Sequence, residues 1–335
     1  MSDSVREIRR ILFIRTDRIG DCLMNLPAIR VLRQSFPKAW ISCLVDESVA
    51  ALLKDHPDLD ECMPISASHF RKSFLVRWKC FQTVKKARFD LAVISNPDKQ
   101  FHCLSFLTGI PQRIGKNRKW GFLLTKKIAD NPRGSDCHEI ENNLKIVKLI
   151  SDGTWDGKIS LPVSDADAKA VEDFLRKECP GEHGLLVVHA GTSDPEKRWP
   201  VEKFAALCDK LHQENRSVIL IGGPEETGIS RELVSQSRIP PLDWTGRLTL
   251  KQLVALFSHH RVRALVSSDS GPVHIAWISG TPVVAMYAKN TLGSNPARWG
   301  PRDGRSETIW KPMSAITVDE VYALVTKTIE KDTRR

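Results

Sequence analysis

Short apolar runs alternate along this chain with stretches whose apolar residues recur every three or four positions, the pattern of strands alternating with amphipathic helices. In the first half the runs predict strands at Arg10–Ile14, Trp40–Val45, Glu61–Ile65 and Leu91–Ser95, with helices near Leu23–Phe36, Val49–Asp55, Phe70–Ala87 and Glu139–Ile150. The second half predicts strands at Leu185–His189, Ser217–Ile221, Ala264–Val266 and Thr281–Tyr287. Its helices fall at Val201–Asn215, Glu226–Gln236, Leu250–His259 and Val318–Glu330. Such alternation specifies an α/β class with doubly wound parallel sheets. Between Ser151 and Val163 the text turns polar and Gly/Pro-bearing, which places a domain boundary there and predicts halves at 1–157 and 158–316. Two sheets in one chain imply a cleft, with ligands outside the carboxyl ends of the strands.

Charge changes the picture more than bulk composition does. The net charge is +10, and residues 1–150 hold 26 Lys and Arg against 16 Asp and Glu, whereas residues 151–335 hold 24 of each. Arg71–Lys127 alone carries 14 basic residues against Asp90 and Asp98. This field suits an anionic partner, and nucleic acid, an anionic membrane surface and a phosphorylated substrate all qualify on charge alone. No apolar run reaches bilayer-spanning length and the start lacks the apolar core of a leader, so a cytoplasmic protein is expected. The eight cysteines stand singly, without a C-x-x-C pair, and read as reduced thiols.

Candidate chemistry collects where strands give way to helices. Ser267–His274 ends one strand and opens a helix: Ser270 can cap it, Gly271 allows close ligand approach and Pro272 occupies the first turn, leaving N–H groups for an anion. Asp269 and His274 flank that end and suit a sugar or nucleotide hydroxyl; an ordinary helix cap is the simpler alternative. The loop Arg15–Asp21 follows the first strand and sets Asp21 at a helix start, either as a cap or as a proton acceptor. His189–Pro200 offers the hydroxyls of Thr192 and Ser193 and the point charge of Lys197, with Trp199 and Pro200 as an anchor. Gly222–Glu226 places Glu225 and Glu226 where an acidic residue can hold ribose hydroxyls. Other patterns fail: no G-x-x-x-x-G-K-[ST] loop is present, His138–Asn142 stops short of H-E-x-x-H, and Asp165–Asp167 reads as a capping cluster.

Taken together, R-x-D-x-I-G-D-x-x-x-x-x-P (Arg15–Pro27), G-T-x-x-x-x-K-x-W-P (Gly191–Pro200), G-G-P-E-E (Gly222–Glu226), T-G-x-x-x-L (Thr245–Leu250) and D-S-G-P-x-H-x-A (Asp269–Ala276) resemble glycosyltransferase family 9, the ADP-heptose:lipopolysaccharide heptosyltransferases. The resemblance implies a GT-B fold with two Rossmann-like domains, the acceptor on the first and the nucleotide-sugar on the second. It also implies that residues 317–335 form a helix crossing back to the first domain. The implied reaction inverts the anomeric centre, uses no metal or cofactor, and moves a sugar, with ADP-heptose the expected donor, to a phosphorylated core glycan. Asp21 is then the general base. Thr192, Ser193 and Lys197 would sit near the diphosphate, Glu225 or Glu226 near the ribose, and Asp269, Ser270, Gly271 and His274 around phosphate and sugar. Arg15, Arg18, Lys116, Arg118, Lys119 and His138 would meet the acceptor. A lipid-anchored acceptor implies peripheral contact with the anionic cytoplasmic face of the inner membrane.

The chain departs from the family where Tyr287–Thr291 replaces a Phe-Gly-Pro-Thr turn, bringing Lys289 towards the expected donor, and Gly115–Lys127 is an unusually basic, insert-like stretch. Two rival readings remain at this level: a non-catalytic nucleotide- or anionic-glycan-binding relative, and a nucleic-acid binder. The second lacks any helix-turn-helix, RNA-binding or zinc-finger signature.

Overall fold

The computed structural model describes residues 7–130, 137–181, 183–291 and 293–332. The leader-free start expected for residues 1–6 and the last residues of the 317–335 segment, 333–335, lie outside them. Two compact units, Met1–Pro162 and Val163–Arg335, divide the chain just beyond the boundary expected at residue 157.

The first unit holds strands β1 (Arg10–Arg15), β2 (Trp40–Asp46), β3 (Glu61–Ile65), β4 (Leu91–Ile94), β5 (Gln112–Lys116) and β6 (Lys126–Ile128) in the order β3-β2-β1-β4-β5-β6, all parallel. Ile11, Leu12, Phe13 and Ile14 are buried in succession because β1 has helices on both faces, which is why a central parallel strand reads as an unbroken apolar run. The second unit repeats the plan with β7 (Leu185–His189), β8 (Ser217–Ile221), β9 (Leu242–Asp243), β10 (Val262–Ser268), β11 (Val283–Ala288) and β12 (Glu307–Lys311), ordered β12-β11-β10-β7-β8-β9 and again parallel.

In each sheet the first strand lies where the winding reverses, β1 beside β4 and β7 beside β10. Loops leaving the carboxyl ends of strands at such a switch point diverge and open a crevice for ligand. Arg15–Asp21 leaves β1, His189–Lys197 leaves β7 and Asp269–Gly271 leaves β10, so three of the sequence-marked loops fall at these points. Gly222–Glu226 leaves the adjacent β8.

Several elements differ from expectation. The predicted helix from Leu23 to Phe36 is two, Ile19–Leu23 and Leu26–Ser35, with Pro27 in the first turn of the second, where its missing N–H costs nothing. Residues 70–87 likewise divide at Ser73, which caps helix Phe74–Ala87 by accepting from the Val76 N–H. The insert-like basic stretch supplies β5 and β6, and the exposed lysines Lys126 and Lys127 mark β6 as a sheet edge protected by charge. Asp165 and Asp167 do lie in a helix's first turn, capped by Ser164 on the Asp167 N–H at 3.1 Å.

The last helix, Val318–Asp332, packs on the second unit. Val321, Val325 and Ile329 belong to the core of the second unit, where the helix meets β10, β11 and helix Val201–Gln213. Its apolar stripe is spent on that core, with Lys327 and Lys331 tying it to Glu307 of β12 at 3.0 and 2.6 Å.

Candidate active site

The first unit gathers a charged cluster at the end of β1. Arg15 is almost wholly buried, and its guanidinium meets Asp21 at 2.7 Å, Asp17 at 3.2 Å and Glu139 at 3.9 Å. Lys116, buried at the end of β5, reaches the same Glu139 oxygen at 3.4 Å. Asn96, in the loop after β4, donates to Asp17 at 2.9 Å. Glu139 is 1% exposed, so two cations hold it in place and it in turn holds Arg15. Asp21 and Asp17 are its accessible members, with 26% and 30% of their side chains open. Burial raises the Asp21 pKa above the ordinary aspartate value; Arg15 opposes this, and the neighbouring charges of Asp17 and Glu139 add to it. An aspartate with these neighbours is a better proton acceptor than one in water.

The remaining residues expected at the acceptor are not all free for it. His138 is buried and caps helix Glu139–Val147, its Nδ1 accepting from the Ile140 N–H at 3.3 Å. Arg118 pairs with Asp130 at 2.7 Å. Arg18 and Lys119 are exposed, and the Lys119 carbonyl accepts from His102 Nδ1 at 2.6 Å.

In the second unit a hydrogen-bonded chain joins three loops. His189, buried at the end of β7, presents Nδ1 to the hydroxyls of Ser267 and Ser270 at 3.0 and 3.2 Å and donates from Nε2 to Glu226 at 3.1 Å. The tautomer follows from the partner, since an ionised carboxylate can only accept. Glu226 also accepts the Gly223 N–H at 2.8 Å. Burial pushes its carboxyl up, yet the bonds from His189 and Gly223 outweigh that and hold it below the usual glutamate range. Glu226 therefore orders the loop, while Glu225 beside it is exposed.

Ser270 occupies the cap position of helix Gly271–Ile278 as expected, but its side chain makes no cap bond because the hydroxyl is turned to His189 and Ser267. That helix end is thus left without a side-chain cap, which suits an anion. Lys197 stands by it, paired with Asp269 at 2.8 Å, and Asp269 also accepts from Ser294 at 3.1 Å. Trp199 anchors the Lys197 loop: fully buried, its ring donates to the Ile316 carbonyl and its backbone N–H to Ser268. Thr192 is half-buried, with its hydroxyl accepting from the Asp194 N–H, and Ser193 is exposed. His274 is buried one turn into the helix, edge-on to Trp299. Lys289 lies in solvent over the Trp310 ring.

Gly191 has no room for a side chain, because a methyl there would overlap the Glu226 carboxylate. Gly191→Ala is expected to displace that carboxylate from Gly223 and His189 and to cost about 1–3 kcal/mol, read as a fall of several degrees in melting temperature. An unchanged melt would mean that Glu226 does not hold this loop.

Asp17, Glu139, Asn96 and Ser294 were missed as site residues. Asp17 stands in the first motif without a role, and Glu139 lies only in the stretch that stops short of H-E-x-x-H; the other two carry no local signal.

Two doubly wound parallel sheets with polar loops at their switch points are the architecture of the GT-B fold. The chain belongs to glycosyltransferase family 9 (heptosyltransferase), whose model matches residues 77–321. It is 26% identical over 304 residues to the lipopolysaccharide core heptosyltransferase OpsX of Haemophilus influenzae, covering 88% of this chain and 82% of that one. Its fold is similar to a family 9 glycosyl transferase from Veillonella parvula, with a TM-score of 0.85 at 20% identity over 96% of this chain and 98% of the other. The Escherichia coli ADP-heptose lps heptosyltransferase II gives a TM-score of 0.80 at 20% identity over 97% and 99%.

Proposed function

We propose that this enzyme transfers a heptose from ADP-heptose to a phosphorylated lipopolysaccharide-core acceptor, with inversion and without a metal. The observation that carries this reading is Asp21, a partly open carboxylate of raised pKa held on buried Arg15 at the switch point of the first sheet. The Asp21 carboxylate takes the proton of an acceptor hydroxyl as its oxygen attacks the anomeric carbon from the face opposite the diphosphate. The anomeric C–O bond breaks, and its electron pair leaves with ADP. Charge building on that diphosphate is met by Lys197 and the uncapped end of helix Gly271–Ile278, which are already in place and need no reorganisation. Thr192 and Ser193 line the diphosphate, Glu225 holds ribose hydroxyls, and Asp269, Ser270 and His274 shape the pocket for phosphate and sugar. Arg18 and Lys119, both exposed, are the cations of the acceptor set best placed to meet phosphate, while Arg15, Lys116, Arg118 and His138 are engaged with Asp21, Glu139, Asp130 and the Ile140 N–H. The acceptor's lipid anchor implies contact with an anionic membrane surface. The names of the relatives support the donor and acceptor classes.

The test is a mass-spectrometric assay offering ADP-heptose and other nucleotide-sugars to a phosphorylated core glycolipid. Heptose addition from the ADP donor is the expected product. At a hundredfold excess over Kd, ADP should stabilise the protein by about 2.7 kcal/mol, raising its melting temperature, with UDP giving a smaller shift. Absence of product from any ADP-sugar, or equal response to UDP, would overturn the reading.

A further inference from the structure

Large apolar side chains of the first unit stand in solvent among its basic residues. Phe74 is 67% exposed, Leu75 69% and Trp78 49%, all in the first turns of helix Phe74–Ala87. They are not the core face of that helix. Val76, Cys80, Phe81, Val84 and Ala87 pack inward, whereas Phe74, Leu75 and Trp78 stand out, with Trp78 stacked between Phe74 and Phe81 at centroid distances of 6.4 and 5.6 Å and Lys85 over the Phe81 ring. A second exposed pair, Trp120 and Phe122, follows β5.

Both groups belong to one edge of the sheet. Helix Ala67–Lys72 follows β3 directly, helix Lys99–Leu107 follows β4, and the Trp120 turn follows β5, so all lie at the carboxyl ends of the strands, as Asp21 does after β1. Phe70 stacks on Phe101 at 4.8 Å and Arg71 pairs with Asp98 at 3.6 Å, which ties the first group to helix Lys99–Leu107. The bond from His102 to the Lys119 carbonyl ties the second group to the same helix. Arg71, Lys72, Lys79 and Lys119 are exposed around these rings, and between residues 71 and 127 only Asp90 and Asp98 oppose 14 basic residues.

We propose that this edge seats the enzyme on an anionic phospholipid surface, with Phe74, Leu75 and Trp78 entering the headgroup boundary and Arg71, Lys72 and Lys79 meeting lipid phosphates. Aromatic rings interleaved with cations satisfy the amphipathic interface of a bilayer, where an indole has one apolar face and one polar edge. The one-sided charge selects anionic lipid. Among the described residues no helix is long and apolar enough to cross a membrane, so this contact stays at the surface. A lipid-anchored acceptor would then present its sugar at the edge that carries Asp21. In this respect the proposal rests on the functional reading above, but its test does not.

The full chain is sedimented with phosphatidylglycerol/phosphatidylcholine vesicles and with pure phosphatidylcholine vesicles, both free of glycolipid, at low and high salt. Salt-sensitive binding at least about tenfold stronger to the anionic vesicles is expected. The variant Phe74→Ser/Leu75→Ser/Trp78→Ser should lose about tenfold or more of that binding without a lower melting temperature. Lys72→Glu/Lys79→Glu should do the same through charge and stands in if the first variant folds poorly. Absence of vesicle binding, or binding that survives both variants, overturns the proposal. So does a wild-type dimer that the serine variant dissolves while vesicles are ignored, which would make the face an interface between copies of this chain. Since ADP-dependent transfer is measured separately, loss of either conclusion leaves the other standing.

Discussion

Asp21→Asn is expected to lower kcat by about 10²–10⁴-fold, the usual contribution of a positioned base, while ADP binding and the fold persist. Arg15 keeps Asp17 and Glu139 as counterions after the substitution, so no buried cation is stranded. The raised pKa of Asp21 gives this variant a second signature. A carboxyl raised by folding has its full stabilising contribution below the pH at which an unfolded aspartate titrates, and loses it as pH rises through the higher folded value. Asn never acquires the charge and never suffers that loss. The variant should therefore melt no lower than the wild type at neutral pH, with the difference vanishing in acid. In the wild type the same shift moves the acid limb of kcat/KM above the ordinary aspartate range, because activity needs the ionised form. Transfer within tenfold of wild type, or a melt several degrees lower at neutral pH, would remove Asp21 from the role of base.

Lys197→Met is expected to lower kcat by about 10²–10³-fold, comparable to deleting one preorganised charge-stabilising donor, with a smaller effect on ADP affinity. The leaving diphosphate is more negative in the transition state than in the bound donor, so a cation beside it acts mainly on rate. The substitution also strands Asp269, whose side chain is only 10% exposed and would keep, among the described residues, Ser294 as its side-chain partner. This should cost on the order of 2 kcal/mol of stability. Lys197→Met/Asp269→Asn separates the effects: it should recover the melting temperature and leave the rate low. If the single variant melts early but turns over within about threefold of wild type, far less than a charge-stabilising donor is worth, Lys197 is merely the counterion of Asp269.

The architecture was legible where strands are central. β1, β4, β7, β10 and β11 are buried on both faces and so appear as unbroken apolar runs. The unpredicted strands β6, β9 and β12 are edges, and β5 neighbours one; half-solvated, rich in Lys, Arg, Glu and Gln, they carry too little apolar signal to separate from loops. For the last helix, periodicity shows that Val321, Val325 and Ile329 share a stripe but not which core receives it.

The sequence by itself determined the doubly wound class and put Asp21, Lys197, Glu226 and Asp269 on loops after strands, because strand, turn and helix signals are local. Only the tertiary structure decided what those side chains do. Arg15 finds Glu139 and Lys197 finds Asp269 across long stretches of chain, and Ser270 gives up its cap bond for a histidine 81 residues away. Parallel strands bring such residues together only after whole crossovers have folded, so their partners are set by strand order and not by any spacing in the text.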